Sequence, residues 1–496
     1  MELTYEVRDL PVFKVGVSSS TITPPVGIPM AGFGARTEVS QGVHDDLYAK
    51  VLLIERGETR VALVTLDLIG LDRAKSSELR RIVGKQIGTS LNEVMVACSH
   101  THSGPALKPN PISSVPVKRQ QKLINEWLRS LYSILKELAE EASNDLREAR
   151  VKYARGYATG LSYNRRKVIP EGACMLIMET GRMRNAVREQ YKAWGMPPEL
   201  IEERAVPGIP TGPIDPEVGI LRFESVSGSP IAILINFSCH PVTLGPSNLL
   251  ISADYPGYLR SLVEEAENTT VLFTQGASGD VRPFYSERSF KEAERIGMAL
   301  ASITLRAMES AELLPSEIDV KVANTVFELP LREVPSPEEA EEMISEVEKE
   351  LEKAIKARNF REVRRLREEL IMLKRIAGRP EGLPPQWLGV SSKVIRQVLE
   401  PLHEQEKVCE LQALAIGDVI LTAVPGELFV ELGLEIKKRS WSKRTMVVTL
   451  ANGSIGYIPT KKAYEEGGYE TKSLLKPGVG EMIVERTIEL VERLRE

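Results

Sequence analysis

The sequence predicts an α/β fold, a layered sheet core with flanking helices built from several β-α-β units, with a helical-hairpin insertion. Three observations predict it. Apolar strand-length runs enclose helical stretches over residues 60–98, 230–274 and 419–450. Each of those units places polar, chemistry-bearing residues just past strand ends, where open α/β sheets build their sites. A charged segment from 336 to 380 has apolar residues at helical rather than alternating spacing. The expected organisation is one domain over 1–496, with 336–380 inserted into it.

Composition narrows the function classes. Hydrophobic content of 42% and charged content of 27% are those of an ordinary globular chain. A net charge of −5 leaves no footprint for a polyanion, so nucleic acid is not an expected partner. The stretch Met1–Leu10 has no apolar run, so no signal peptide is expected, and no apolar stretch is long enough to span a bilayer. The cysteines Cys98, Cys174, Cys239 and Cys409 are too scattered for a disulfide scaffold. A cytoplasmic location is the expectation.

The elements follow in order. Tyr48–Glu55 and Arg60–Leu66 flank Arg56-Gly-Glu-Thr59, a hairpin signal. A helix over 73–86 leads to a buried strand, Val94–Cys98. Beyond Pro105 a long amphipathic helix carries Leu123, Trp127, Leu131, Ile134 and Leu138 on its core face. Strand Val151–Tyr157 precedes a polar turn, 160–166, and the segment 171–213 has no clear pattern. Strand Pro230–Cys239, a helix from Pro256 to Glu267 and strand Val271–Thr274 make the second β-α-β unit. Ser336 is a predicted N-cap, with Pro337 at the first helical position and Glu339 completing a capping box. Met343, Ile344, Val347, Leu351 and Ile355 form one stripe, and Val363, Leu366, Leu370 and Leu373 another, which predicts an antiparallel helical hairpin. That hairpin is either a surface for homo-oligomer formation or a solvated arm. Strands Cys409–Ile416 and Val419–Val424, a helix over 428–439 and strand Met446–Leu450 make the third unit, and a helix over 482–494 ends the chain.

The chemistry centres on Ser99-His-Thr-His-Ser-Gly-Pro105. Two of the five histidines, His100 and His102, sit where a buried strand meets a Gly-Pro breaker. Alternate residues of an extended segment share a face, so Cys98, His100 and His102 are expected at one site. His240 and Asp280 follow the strands of the second unit, and Glu427 and Tyr457 those of the third. His240 alone reads equally as a core histidine, and Glu427 as a carboxylate favoured at a helix start. Together with His100 they supply two imidazoles and a carboxylate, a set that suits catalytic zinc with a position left for water.

At this point the chain resembles the catalytic domain of the neutral, non-lysosomal ceramidase family. The resemblance rests on Ser99–Pro105, Asn164-Arg165, Asn236–Pro241, Gly279-Asp-Val-Arg-Pro283, Val424–Leu428, Gly456–Thr460 and Tyr469, in that order along nearly the whole chain. It implies a zinc amidase that cleaves an N-acyl bond. By resemblance, zinc is held by His100, His240, Glu427 and Tyr457. His102 then acts as general acid/base or substrate contact, Arg165 and Tyr469 hold the scissile carbonyl, and Asp280 lines the site. Where the family has a serine proposed as nucleophile, this chain has Arg282, which removes a serine-ester route and leaves Arg282 to bind a polar or anionic part of the substrate. The family's C-terminal immunoglobulin-like domain is not expected in this chain.

The functional expectation is therefore a zinc-dependent hydrolase acting on a small-molecule N-acylated substrate through metal-bound water. The alternatives are a metal-dependent ester or lactone hydrolase, and a non-catalytic metal-binding scaffold working through the 336–380 hairpin.

Overall fold

The structure is a computed structural model that describes residues 12–34, 36–111, 113–169, 172–176, 205–206, 210–379 and 408–495. Most of the pattern-poor 171–213 segment, Pro380 and the side chain of Cys174 lie outside the described residues.

The main elements, in chain order, are β1 (Phe13–Thr21), β2 (Tyr48–Arg56), β3 (Thr59–Leu66), α1 (Arg73–Ile87), β4 (Val94–Cys98), α2 (Val117–Asn144) and β5 (Arg147–Tyr157). They continue with β6 (Glu217–Ser225), β7 (Pro230–Phe237), α3 (Tyr255–Glu267), β8 (Thr270–Gln275), α4 (Phe290–Met308) and β9 (Val320–Glu328). The helical pair α5 (Pro337–Lys356) and α6 (Phe360–Ile376) precedes β10 (Val408–Ile416), β11 (Val419–Val424), α7 (Val430–Arg439), β12 (Arg444–Thr449) and α8 (Val479–Arg493).

Two sheets form the core. The larger runs β8-β7-β6-β5-β1-β2-β3-β4, and the smaller β9-β10-β11-β12. Period-2 alternation explains how they stack. In β2, Leu52 and Ile54 point into the cluster shared with the smaller sheet, while Ala49, Val51 and Leu53 point toward α1 and α2. In β7, Ala232 and Leu234 face the smaller sheet, and Ile233, Ile235 and Phe237 face α3 and α4. Strands β10 to β12 turn Leu414, Leu421, Met446 and Val448 to the shared cluster, and the other face of this sheet packs on α7 and α8. The order of layers is thus helix, sheet, sheet, helix. Both faces of the central strands are buried, which is why they read as unbroken apolar runs.

The predicted β-α-β units are present as parallel strand pairs: β3 with β4, β7 with β8, and β11 with β12. Their C-terminal ends are stitched together. Asn452 accepts from Val96 N–H through its side chain and donates its own N–H to Val96 O, while Asn236 Nδ2 donates to Val447 O at 3.0 Å. Arg260 on α3 donates to both oxygens of Asp67, at the end of β3, from 2.6 and 2.5 Å.

Two predicted stripes are shifted. The face of α2 that packs inward carries Ile124, Trp127, Leu131, Leu135 and Leu138, so Leu123 and Ile134 flank it. A neighbouring residue lies about 100° round a helix, so a one-residue error moves a side chain to the shoulder of the stripe. On α5 the buried line is Ala340, Ile344, Val347 and Ala354, which leaves Met343 and Ile355 exposed. The Ser336–Glu339 capping box forms as its residues require, and α5 and α6 share a small apolar cluster of their own. No described helix is long and apolar enough to cross a membrane.

Candidate functional site

The ends of the parallel pairs bring His100, His102, His240 and Glu427 together. Ser99 N–H donates to Leu66 O and His100 N–H to Leu68 O, tying the His-Thr-His loop to the end of β3. His100 has φ of 69°, a left-handed value rare outside glycine. That reversal breaks the strand. Cys98 therefore does not share the site with the histidines as alternation predicts: its thiol is buried in the apolar cluster under α1 and α2, where burial pushes its pKa far up.

The three imidazoles have donor atoms within 4.8 Å of one another and are the one such His/Cys/Asp/Glu group among the described residues. His100 and His102 approach Nε2 to Nε2 at 3.3 Å. His240 Nε2 lies 3.0 Å from Glu427 Oε2, and His100 Nε2 lies 3.5 Å from the same oxygen. The far sides of the rings are engaged: His100 Nδ1 is 2.6 Å from Ile69 O, and His240 Nδ1 is 2.5 Å from Ser278 O. A carbonyl only accepts, so both Nδ1 atoms carry the proton, and both Nε2 lone pairs face the shared space. Burial, and then the Arg165 charge, lowers the pKa of His240 to about 4. Burial and the other two imidazoles hold that of His102 well below the usual histidine range. Burial works against the charge of Glu427, but His100 and His240 outweigh it and hold its carboxyl well below the usual range.

Close backbone approach is built in with glycine. A Cβ on Gly279 would fall 2.4 Å from Glu427 O, and one on Gly32, whose φ is 105°, would fall 2.5 Å from the His102 ring. Arg36, four residues after Gly32, is buried and donates to the main-chain oxygens of Ala31, His102 and Gly245. It ties together the loops on three sides of His102.

Tyr457 stands in register with Glu427 on a short parallel bridge, Glu427–Leu428 with Tyr457–Ile458. Arg165 Nη2 donates to the Tyr457 hydroxyl at 3.1 Å and to Gly279 O at 2.8 Å, while Arg165 Nε donates to Glu470 Oε1 at 2.9 Å. Burial opposes the Arg165 charge, and Tyr457 and Glu470 outweigh it. Burial and the Glu427 charge push the Tyr457 hydroxyl well above the ordinary tyrosine range. Tyr469 lies at the rim, 58% exposed, with its ring edge-on to Tyr457 at 5.6 Å.

Asp280 is buried beside this group. One oxygen accepts from Val430 N–H, in the first turn of α7, and the other from Asn164 Nδ2. Burial raises its pKa to about 6. Arg282 is buried between the rings of Tyr163 and Tyr285 and donates to the Tyr285 hydroxyl.

Sequence reasoning missed Arg36 and Glu470. Each is a single charged residue in a loop, with partners that are main-chain oxygens or arginines distant in sequence. The buried capacity of Arg36 had no signal at all; the doublet Arg165-Arg166 was a signal for a carboxylate such as Glu470.

Comparisons with known proteins bear on the fold and on the N-terminal part of the chain. Residues 13–169 match the family described as "Neutral/alkaline non-lysosomal ceramidase, N-terminal". The neutral ceramidase of Pseudomonas aeruginosa is 22% identical over 98% of this chain and 73% of its own length. That of Drosophila pseudoobscura pseudoobscura is 24% identical over 55% of this chain and 36% of its own length. The crystal structure of the Pseudomonas aeruginosa neutral ceramidase superposes with a TM-score of 0.66 at 19% identity, covering 98% of this chain and 75% of the other. A structure described as ceramidase complexed with C2 gives 0.65 at 18% identity, covering 98% and 76%. Residues 13–169 thus match the neutral/alkaline non-lysosomal ceramidase family, and the chain as a whole shares the fold of the solved neutral ceramidase.

Proposed function

We propose that this chain is a zinc-dependent hydrolase that cleaves an N-acyl amide bond. The observation that supports it best is the arrangement of His100, His240 and Glu427: two Nε2 lone pairs and a carboxylate oxygen meet at 3.0 and 3.5 Å, with both Nδ1 protons committed to carbonyls. Carbonyl-oriented imidazoles plus a carboxylate suit a divalent ion, so the residues fit the group that the family resemblance implies. His100, His240 and Glu427 would hold it, with Tyr457 as the further ligand implied by resemblance. A bound ion would polarise water and the scissile carbonyl at neutral pH.

The chain's own residues supply the rest. His102, neutral and with Nε2 toward the same space, accepts a proton from the attacking water and returns it to the leaving amine. Arg165 keeps its charge beside Tyr457, where it stabilises negative charge developing on the carbonyl oxygen. Tyr469 at the rim contacts the carbonyl as substrate arrives. Asp280 holds Asn164 and the start of α7, and so fixes the wall next to Glu427. Arg282 binds a polar or anionic part of the substrate; equal rates for substrates with and without a carboxylate near the amide would count against that role.

The test is metal content of wild type and of a His100→Ala/His240→Ala variant, followed by an N-acyl amide screen that includes ceramides. About one zinc per chain in wild type, absent from the variant, with amide turnover in wild type alone, is expected. A wild type that takes up no zinc when it is offered overturns the reading.

A further inference from the structure

We propose that Glu470 is a positioning residue for this site: its carboxylate, set between Arg165 and Arg166, holds the Arg165 guanidinium on the Tyr457 hydroxyl. The inference rests on the hydrolase reading for its effect on turnover, and on geometry alone for the placement of Arg165. Glu470 Oε1 accepts from Arg165 Nε and Oε2 from Arg166 Nη1, each at 2.9 Å, and all three side chains are buried. Arg165 is thereby gripped at its Nε edge, which leaves Nη2 to Gly279 O and the Tyr457 hydroxyl. A guanidinium is a rigid planar fork, so fixing one edge fixes the direction of the other.

The grip also locates Tyr469. Glu470 opens the short turn Glu470–Lys472, directly after Tyr469. Gly467 and Gly468 enter that turn with φ of 74° and 108°, and Arg166 Nη2 donates to Gly467 O at 2.9 Å. Both arginines therefore hold this turn through the Glu470 carboxylate, and Arg166 also holds Gly467 O just ahead of it. The two neighbouring arginines thus take different oxygens of the one carboxylate. Glu470 does not need to touch substrate to matter. Its loss lets the Arg165 guanidinium drift, while Arg166 still holds Gly467 O beside the Tyr469 turn.

The experiment uses the zinc-loaded full chain with Glu470→Gln, and with Glu470→Asp as the variant that keeps the buried charge and folds if the first does not. Both are expected to lower kcat by about 100-fold, the scale of a 1 Å misplacement, with KM and metal content nearly unchanged. In an Arg165→Ala background the same substitutions are expected to change kcat little, because Glu470 acts through Arg165. Crystal structures of the variants should show Nη2 withdrawn from the Tyr457 hydroxyl. Wild-type kcat in the variants, the same fold-loss in the Arg165→Ala background, or an unmoved guanidinium would each overturn the proposal. If wild type cleaves no N-acyl amide, the hydrolase reading fails, and the crystal structures alone still decide the role of Glu470.

Discussion

Arg36 donates to the main-chain oxygen of His102 from 2.9 Å, and among the described residues no carboxylate pairs with it. Its other donations go to Ala31 O and Gly245 O, so one guanidinium closes the loops around His102. Burial lowers its pKa to about 10, which leaves it charged at neutral pH. Arg36→Met removes those donors and leaves buried carbonyls unmet. The expected loss is about 2 kcal/mol in urea unfolding, less whatever the chain regains by no longer burying a charge. An unchanged urea midpoint would show that the loops hold without it.

On the proposed reading, metal should stabilise the fold as well as act in it. An ion that binds only the folded chain stabilises by about 2.7 kcal/mol at a hundred times its Kd. Chelated wild type is therefore expected to melt lower and to recover as zinc is titrated back. The His100→Ala/His240→Ala variant should melt at one temperature throughout the titration, followed by calorimetry.

The pH dependence of Asp280 has a defined sign. Its pKa is raised from 3.8 to about 6 by burial. Between those values the folded chain holds a proton that the unfolded chain has released, so the Asp280 contribution improves as pH falls from about 6 toward 3.8. His240 acts the other way. Its pKa is lowered from 6.5 to about 4, so stability is lost as pH falls through that window. Subtracting the Asp280→Asn variant from wild type cancels His240. The difference should shift in favour of wild type on acidification from pH 7 to 4, by up to about 3 kcal/mol. A flat difference in chemical denaturation would exclude the buried carboxyl as its source.

Asp67 and Arg260 make a buried bidentate pair between the first and second β-α-β units. Arg260→Met leaves the Asp67 charge buried and is expected to cost about 3–5 kcal/mol. Arg260→Met with Asp67→Asn should cost less than the sum of the single changes, because the second change removes the stranded charge. Additive losses in guanidinium unfolding would mean that the pair does not act as a unit.

The β-α-β units were legible because each pairs a short apolar strand with an amphipathic helix, and because His100, His240 and Glu427 stand just past strand ends. Stacking of two sheets was not legible. Leu52 and Val51 are both apolar, and nothing in their order says that one faces a second sheet and the other a helix. Alternation failed at His100 because a positive φ leaves no mark on a histidine side chain. On α2 the inward line passes through Ile124 rather than Leu123, a choice between neighbours of equal hydrophobicity that tertiary packing makes. Arg36 was invisible for another reason, since its partners are carbonyls that only the folded chain brings near, and the Arg165-Arg166 doublet called for a carboxylate without saying that it is Glu470.

The donor groups come from three widely separated parts of the chain, after β4, after β7 and after β11. No contiguous fragment that stops short of either His100 or Glu427 contains them all. During synthesis, a ribosome-bound chain that has not yet exposed Glu427 holds two imidazoles but not the carboxylate between them. On the proposed reading the ion is therefore captured only once Glu427 has emerged, and a product truncated before it has no complete cage with which to sequester the ion.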